Sequence, residues 1–220
     1  TDHSLLHSLN KFSTMVKLFR AASLLLVSIS GSNARSFSSA VTAFVSSPGA
    51  RRTFGTTAAS LNAASGPLPI KGGEEIMSQK AHGTSEKPVQ KDLLWGCDNE
   101  TADRICNFNR HYAEHAGYWQ TTKYLEEVDM SQPTKYYDSV TGKLLFTAPV
   151  GRSMEAYLKE SASHGWPSFR DEEVNWDYVR VLDNGECVST EGTHLGHNLP
   201  DSSGNRYCIN LVCIAGKPEE

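Results

Sequence analysis

The sequence has no apolar run of the ~18 residues that a membrane-spanning helix needs. It has no surplus of basic charge. Lys and Arg number 21 against 25 Asp and Glu, a formal net charge of −4, which argues against a nucleic-acid binder working through a basic surface. Cysteine is scarce. Five in 220 residues are too few for a small disulfide scaffold, and an odd number leaves at least one thiol unpaired. Residues 1–73 contain no Trp, Tyr or Cys, and their one acid is Asp2 against seven Lys and Arg. All four Trp, all eight Tyr and all five Cys lie beyond position 94. The net charges of 1–73 and 74–220 are therefore +6 and −10. A core needs aromatics and a targeting peptide does not, so a folded part is expected from about residue 88.

The front end has the composition of an address. Met15 is the expected start, ahead of a basic n-region with Lys17 and Arg20. Ala21 to Ile29 is an apolar stretch of signal-peptide length, and Gly31 to Ala34 supplies small residues for cleavage. From Arg35 to Ser65 the chain is rich in Ser, Ala and Thr, with Arg and no acid, which is transit-peptide composition. A signal followed by a transit segment is similar to the two-part leaders of secondary plastids. Plastid delivery is the expectation, with a mitochondrial presequence or secretion as alternatives. The divisions read from the sequence are a leader over 1–73, a linker over 74–91, an N-terminal helical extension over 92–130 and a domain over 131–217.

Apolar residues at helical spacing (Leu93, Leu94, Ile105, Phe108, Tyr112) predict a helix within 92–118, with Asp98 or Asn99 as its cap. Strand signals follow. Tyr136-Tyr137 and Leu144 to Phe146 flank a turn at Asp138 to Gly142, and a short amphipathic helix is expected over 153–161. Val174 to Leu182 alternates and ends at the hairpin turn Asp183-Asn184-Gly185. Strands at 187–189, 195–199 and 206–214 complete a mainly β (α+β) fold with antiparallel sheets and helices on its N-terminal side.

Three segments carry chemistry: Gly165-Trp166-Pro167-Ser168-Phe169, Thr193-His194-Leu195-Gly196-His197 and Arg206-Tyr207-Cys208-Ile209-Asn210. In a strand, residues two apart share a face. Arg206, Cys208 and Asn210 then project together, and a cation beside a thiol favours the nucleophilic thiolate. His194 and His197 face apart on an ideal strand, but Gly196 permits a bulge that brings them together. Singly, each segment has a plainer reading: a strand cysteine packs as a small hydrophobe, and a Trp after Gly packs as well.

Taken together and in this order, the three segments resemble the methionine-R-sulfoxide reductases, the B-type peptide-methionine (R)-S-oxide reductases. The Tyr136 to Phe146 element matches that family too, and the likeness covers about residues 134–214. The resemblance implies a fold of coiled antiparallel sheets of the β-tent type and a thioredoxin-dependent oxidoreductase. It implies that Cys208 attacks the sulfoxide sulfur, leaving a sulfenic acid. His194 and His197 would bind and protonate the sulfoxide oxygen, Asn210 and Arg206 would orient and charge the site, and Trp166 would form the wall for the substrate methyl. The implied partners are free methionine sulfoxide or proteins containing it, and a thioredoxin-like reductant. No nucleic acid or membrane enters this reading, and the expected state is a monomer.

Two features depart from the family pattern. Many relatives hold a structural zinc on two Cys-x-x-Cys pairs. The corresponding residues here are Asp138 and Thr141, then Val188 and Glu191, so a zinc-less variant with no bound cofactor and only an external thiol reductant is expected. Some relatives place a resolving cysteine just before Gly-Trp, where this chain has His164. Cys187, seven residues before His194, is the chosen resolving candidate, with Cys97 as runner-up. The rival function is a non-catalytic β-tent module for binding or chaperoning, and Cys208 with its neighbours favours the enzyme.

Overall fold

A computed structural model describes residues 67–219. The start at Met15 and most of the expected leader lie outside them. The described part is mostly β, with a two-stranded and a five-stranded antiparallel sheet. Strands β1 (Thr134–Tyr137) and β2 (Leu144–Ala148) form the hairpin expected around Asp138 to Gly142. The larger sheet has the order β3 (Ser168–Phe169), β7 (Tyr207–Ile209), β6 (His194–Asn198), β5 (Glu186–Ser189), β4 (Val179–Val181). Asp183 to Gly185 turns β4 into β5, as its Asn-Gly chemistry predicts.

The last strand is shorter than expected. It ends at Ile209, and Leu211–Cys213 form a 3-10 turn. The turn exists because the side chain of Asn210 and the backbone after it bond to neighbouring segments rather than to another strand. Buried aromatics fill the core. Phe146 stacks on Phe169 with ring centroids 4.3 Å apart, and Tyr136 meets Phe169 edge-on at 5.1 Å. Trp119, Tyr124 and Tyr157 pack around them, all fully buried.

The N-terminal side departs from the expected helix. Asp98 does cap a helix, its carboxylate accepting from Thr101 N at 2.8 Å. But α1 (Asn99–Asp103) passes into a single π-helical segment (Arg104–Phe108), and the chain is irregular from Asn109 to Gly117. Only the short turns α2 (Tyr118–Thr121) and α3 (Tyr124–Glu127) follow. Phe108 and Tyr112, placed on the apolar face by their spacing, are exposed. Polar anchors on distant strands hold 109–117, and these outweigh helical propensity.

The boundary expected at residue 73 and the linker expected over 74–91 also need correction. Val181 N donates to Ile70 O at 3.0 Å and Gly72 N donates to Val181 O at 3.1 Å, so the chain already runs beside β4. Glu74–Met77 form a 3-10 turn, and Met77 is buried against Leu182 and Val188. Val89 enters the main core. Composition marked this stretch as a linker because Gly and Pro are common to linkers and to edge segments alike.

Helix α4 (Met154–His164) matches the expected amphipathic helix and runs three residues further. Ser153 caps it, accepting from Ala156 N, and Gly165 at φ 90° ends it. That left-handed glycine turns the chain so that Trp166 follows immediately.

Asp138 ties the two hairpins together. Its fully buried carboxylate accepts from Val140 N at 2.8 Å and from Thr193 Oγ1 at 3.0 Å, linking the β1–β2 turn to the β5–β6 turn. Asp138→Ala leaves the Val140 N–H and the Thr193 hydroxyl without their acceptor. The expected cost is about 2–3 kcal/mol, read as a lower urea midpoint. An unchanged midpoint would mean that the turns hold without it.

Candidate functional site

Strand register builds the site. Ser168 pairs with Cys208, Cys208 with His197, and His197 with Glu186. Side chains in such a row share one face of the sheet. Between β5 and β6 the register shifts: Cys187 pairs with Gly196 but Val188 pairs with His194. Leu195 is the extra residue, and its side chain is fully buried in the core. The bulge therefore returns His194 to the face of His197, with the two rings 5.7 Å apart and edge-on. Gly196 is required there for space, since a Cβ on it would lie 2.1 Å from the Cys208 carbonyl oxygen.

Cys208 is half-buried, whereas Cys97, Cys106, Cys187 and Cys213 are all buried. Burial pushes the Cys208 thiol above its ordinary range, while the Arg206 charge and the Ser168 hydroxyl pull it down. The net direction is up, so the resting group is the thiol. Arg206 is 8% exposed, and its Nε and Nη1 have no hydrogen-bond acceptor. Its Nε lies 3.5 Å from Asp201 Oδ2. Buried donors without a protein acceptor are costly and suit an incoming oxygen.

The histidines differ. His194 is buried, and its Nδ1 lies 2.8 Å from Glu186 Oε1. Glu186 is itself buried and takes a forked contact from Arg110, with Nη2 at 2.6 Å and Nε at 3.0 Å. Burial pushes the Glu186 carboxyl up, but His194 and Arg110 outweigh it and pull the group down to about 2. An ionised Glu186 is acceptor-only, so His194 Nδ1 carries a proton and donates to it. His197 is half-buried. Burial and the neighbouring His194 hold it below its ordinary value.

The remaining expected residues fall into different places. Trp166 is half-buried, and its Nε1 donates to Glu114 O at 3.1 Å. Asn210 is 3% exposed and its side chain is engaged at both ends, accepting from Glu114 N and donating to Leu195 O. Its position is that of a brace between segments. Cys187 sits in the next row, Cys187–Gly196–Ile209, on the opposite face from Cys208 and fully buried. A Cys187–Cys208 bridge would need the sheet to come apart, so the resolving role expected for Cys187 does not fit. Cys97 is packed in the core, and Cys106 and Cys213 bury their sulfurs 3.0 Å from each other.

The four positions where many relatives hold zinc do not fit that metal. Asp138 is saturated with hydrogen bonds, Val188 is a buried hydrocarbon, and Thr141 and Glu191 offer no thiolate or imidazole.

Sequence reasoning missed Glu186, Arg110 and Glu114. Glu186 left one trace, an acid at the start of an otherwise buried strand. The other two lie in an irregular stretch with no periodic signal.

Comparison with known proteins places the chain in a family. Over 96 residues the chain is 33% identical to the peptide methionine sulfoxide reductase MsrB of Methanosarcina barkeri, covering 39% of this chain and 67% of that protein. The chain belongs to the MsrB family. It is 37% identical over 76 residues to the MsrB of Pseudomonas putida, covering 30% of this chain and 58% of the relative. It is 36% identical over 81 residues to the mitochondrial methionine-R-sulfoxide reductase B2 of Danio rerio, covering 28% and 44%. The chain thus spans a little over half the length of the Pseudomonas MsrB proteins it matches. No family model matches it.

Exposure and charge make thiol reactivity testable. Iodoacetamide under native conditions is expected to label Cys208 ahead of the other four cysteines. The rate is expected to rise with pH through a midpoint above that of a free thiol (~8.5), because the raised thiol deprotonates later. Arg206→Ala removes a cation and should move that midpoint further up. Faster labelling of any buried cysteine would contradict the geometry.

Proposed function

We propose that this chain reduces methionine (R)-sulfoxide to methionine, with Cys208 as nucleophile. The observation that carries the reading is the single row in which half-buried Cys208 lies across from His197, with His194 bulged onto the same face. A sulfoxide oxygen needs a proton before it leaves sulfur, and a soft nucleophile must meet that sulfur. Cys208 Sγ attacks the sulfoxide sulfur as its thiol proton passes through an imidazole to the oxygen. The oxygen then passes to Cys208, giving methionine and Cys208 sulfenic acid, and two electrons move from the cysteine to the methionine sulfur. His197, the less buried of the two imidazoles, carries that proton. His194 is held by Glu186 and binds the oxygen beside it. The Arg206 guanidinium, whose Nη1 has no hydrogen-bond acceptor, receives the developing negative charge. Trp166 is the wall for the ε-methyl group, and the separation of methyl from oxygen selects one epimer.

No second thiol of the chain lies beside Cys208 on its face of the sheet, so an external reductant of the thioredoxin or simple thiol class completes the cycle. One thiol condenses with the sulfenic acid to give a mixed disulfide and water. A second releases Cys208 and leaves with the first as a disulfide. The protein works as a monomer on free or protein-bound methionine sulfoxide and carries no metal. The two antiparallel sheets support the β-tent reading. The leader composition supports delivery to an organelle: plastid by its two-part form, or mitochondrion by analogy with the mitochondrial Danio rerio relative.

The test uses the full chain with dithiothreitol and each epimer separately. The R epimer is expected to be consumed and the S epimer to persist, and Cys208→Ser is expected to abolish turnover while the far-UV spectrum stays native. Turnover of neither epimer by the wild type would favour the non-catalytic module instead. Elemental analysis of the same protein is expected to find less than 0.1 zinc per chain, ~0.1 being an order-of-magnitude bound on adventitious metal at a site lacking its ligands. One zinc per chain would place ligands elsewhere.

A further inference from the structure

The segment 109–117 is irregular, yet Glu114 within it is 3% exposed. A lone carboxylate is not buried without partners, and the Glu114 carboxylate has two, with two more on its backbone. Its Oε1 accepts from Leu211 N at 2.8 Å and its Oε2 from Val212 N at 3.1 Å. These are the amides of the turn that follows Cys208 and Asn210. Its own N–H donates to Asn210 Oδ1 at 3.2 Å, and its carbonyl accepts from Trp166 Nε1 at 3.1 Å. Three residues on, Gly117 N donates to Gly165 O at 2.7 Å. The approach is so close that a Cβ on Gly165 would lie 2.9 Å from Ala116 Cβ. One short loop therefore grips both the wall of the site and the turn behind its nucleophile.

Burial pushes the Glu114 carboxyl up to about 7, against the pull of the Leu211 and Val212 amides. Hydrogen bonds to an ionised acceptor are stronger than neutral ones. Resting on the reductase reading above, we propose that Glu114 is a positioning residue for the reaction, through which the N-terminal extension fixes Trp166, Asn210 and the turn after Cys208 in one geometry. Glu114 touches neither substrate nor sulfur. It acts through the groups it holds, and displacement of a reacting group by about 1 Å is enough to cost on the order of 100-fold in rate.

The test compares Glu114→Gln, Glu114→Asp and Glu114→Ala in the full chain. Gln keeps the volume but turns one acceptor into a donor aimed at an amide N–H. In the folded Gln protein, kcat/KM for the R epimer is expected to fall by about 10- to 100-fold. The loss should appear partly in KM, because Trp166 forms the methyl wall. Asp, which keeps the carboxylate on a shorter arm, is expected to retain more activity than Ala. Rates are normalised to Cys208 titrated by alkylation and measured well below each melting temperature, so that a purely structural role would leave them unchanged. A folded Gln protein with wild-type kcat and KM would overturn the proposal. So would failure of all three variants to fold, which would make Glu114 a residue of the fold rather than of the site. A wild type that reduces neither epimer would instead remove the reductase reading, and this proposal with it.

Discussion

One extra residue in β6 sets the chemistry of this sheet. Without Leu195 in a bulge, His194 and His197 would alternate, one toward the core and one toward the opposite face of the sheet. With it, both imidazoles stand on the face that also carries Cys208, and Leu195 alone turns inward. Gly196 is the steric condition for this arrangement, because no side chain fits against the Cys208 carbonyl. The bulge thus serves the core and the site at once.

Charge supports this geometry from behind. His194 is too buried to be held by water, so its orientation rests on Glu186, and Glu186 rests on Arg110. Arg110 continues to Glu74, which puts the edge segment into the same chain of contacts. A buried carboxylate with a guanidinium on one side and an imidazole on the other is satisfied without net charge in the core. Arg110 and Glu114, which look like parts of the solvent face of a helix, instead make such contacts.

Much of the fold was legible because it is local. The β1–β2 hairpin, the Asn-Gly turn between β4 and β5, the Asp98 cap and the body of α4 all follow from turn chemistry and periodicity within a few residues. The edge segment 70–91 and the irregular stretch 109–117 were not legible. Their conformations are decided by bonds to Val181, Glu186, Leu211 and Val212, more than 70 residues away in sequence and 111 in the case of Ile70 and Val181. Cys187 misled for a related reason: proximity in sequence to His194 says nothing about which face a strand residue takes once a bulge shifts the count.

The sequence by itself determined the family and picked out the candidate site residues. Cys208, His194, His197, Trp166 and Arg206 were all readable from short motifs, because the chemistry demands those residue types in tight local patterns. Only the tertiary structure decided that Asn210 is a brace, that Cys187 lies on the wrong face, and that Glu114 and Glu186 stand behind the site. Those assignments depend on strand register and on burial of charge, and both are set by pairings between distant segments that no local pattern encodes.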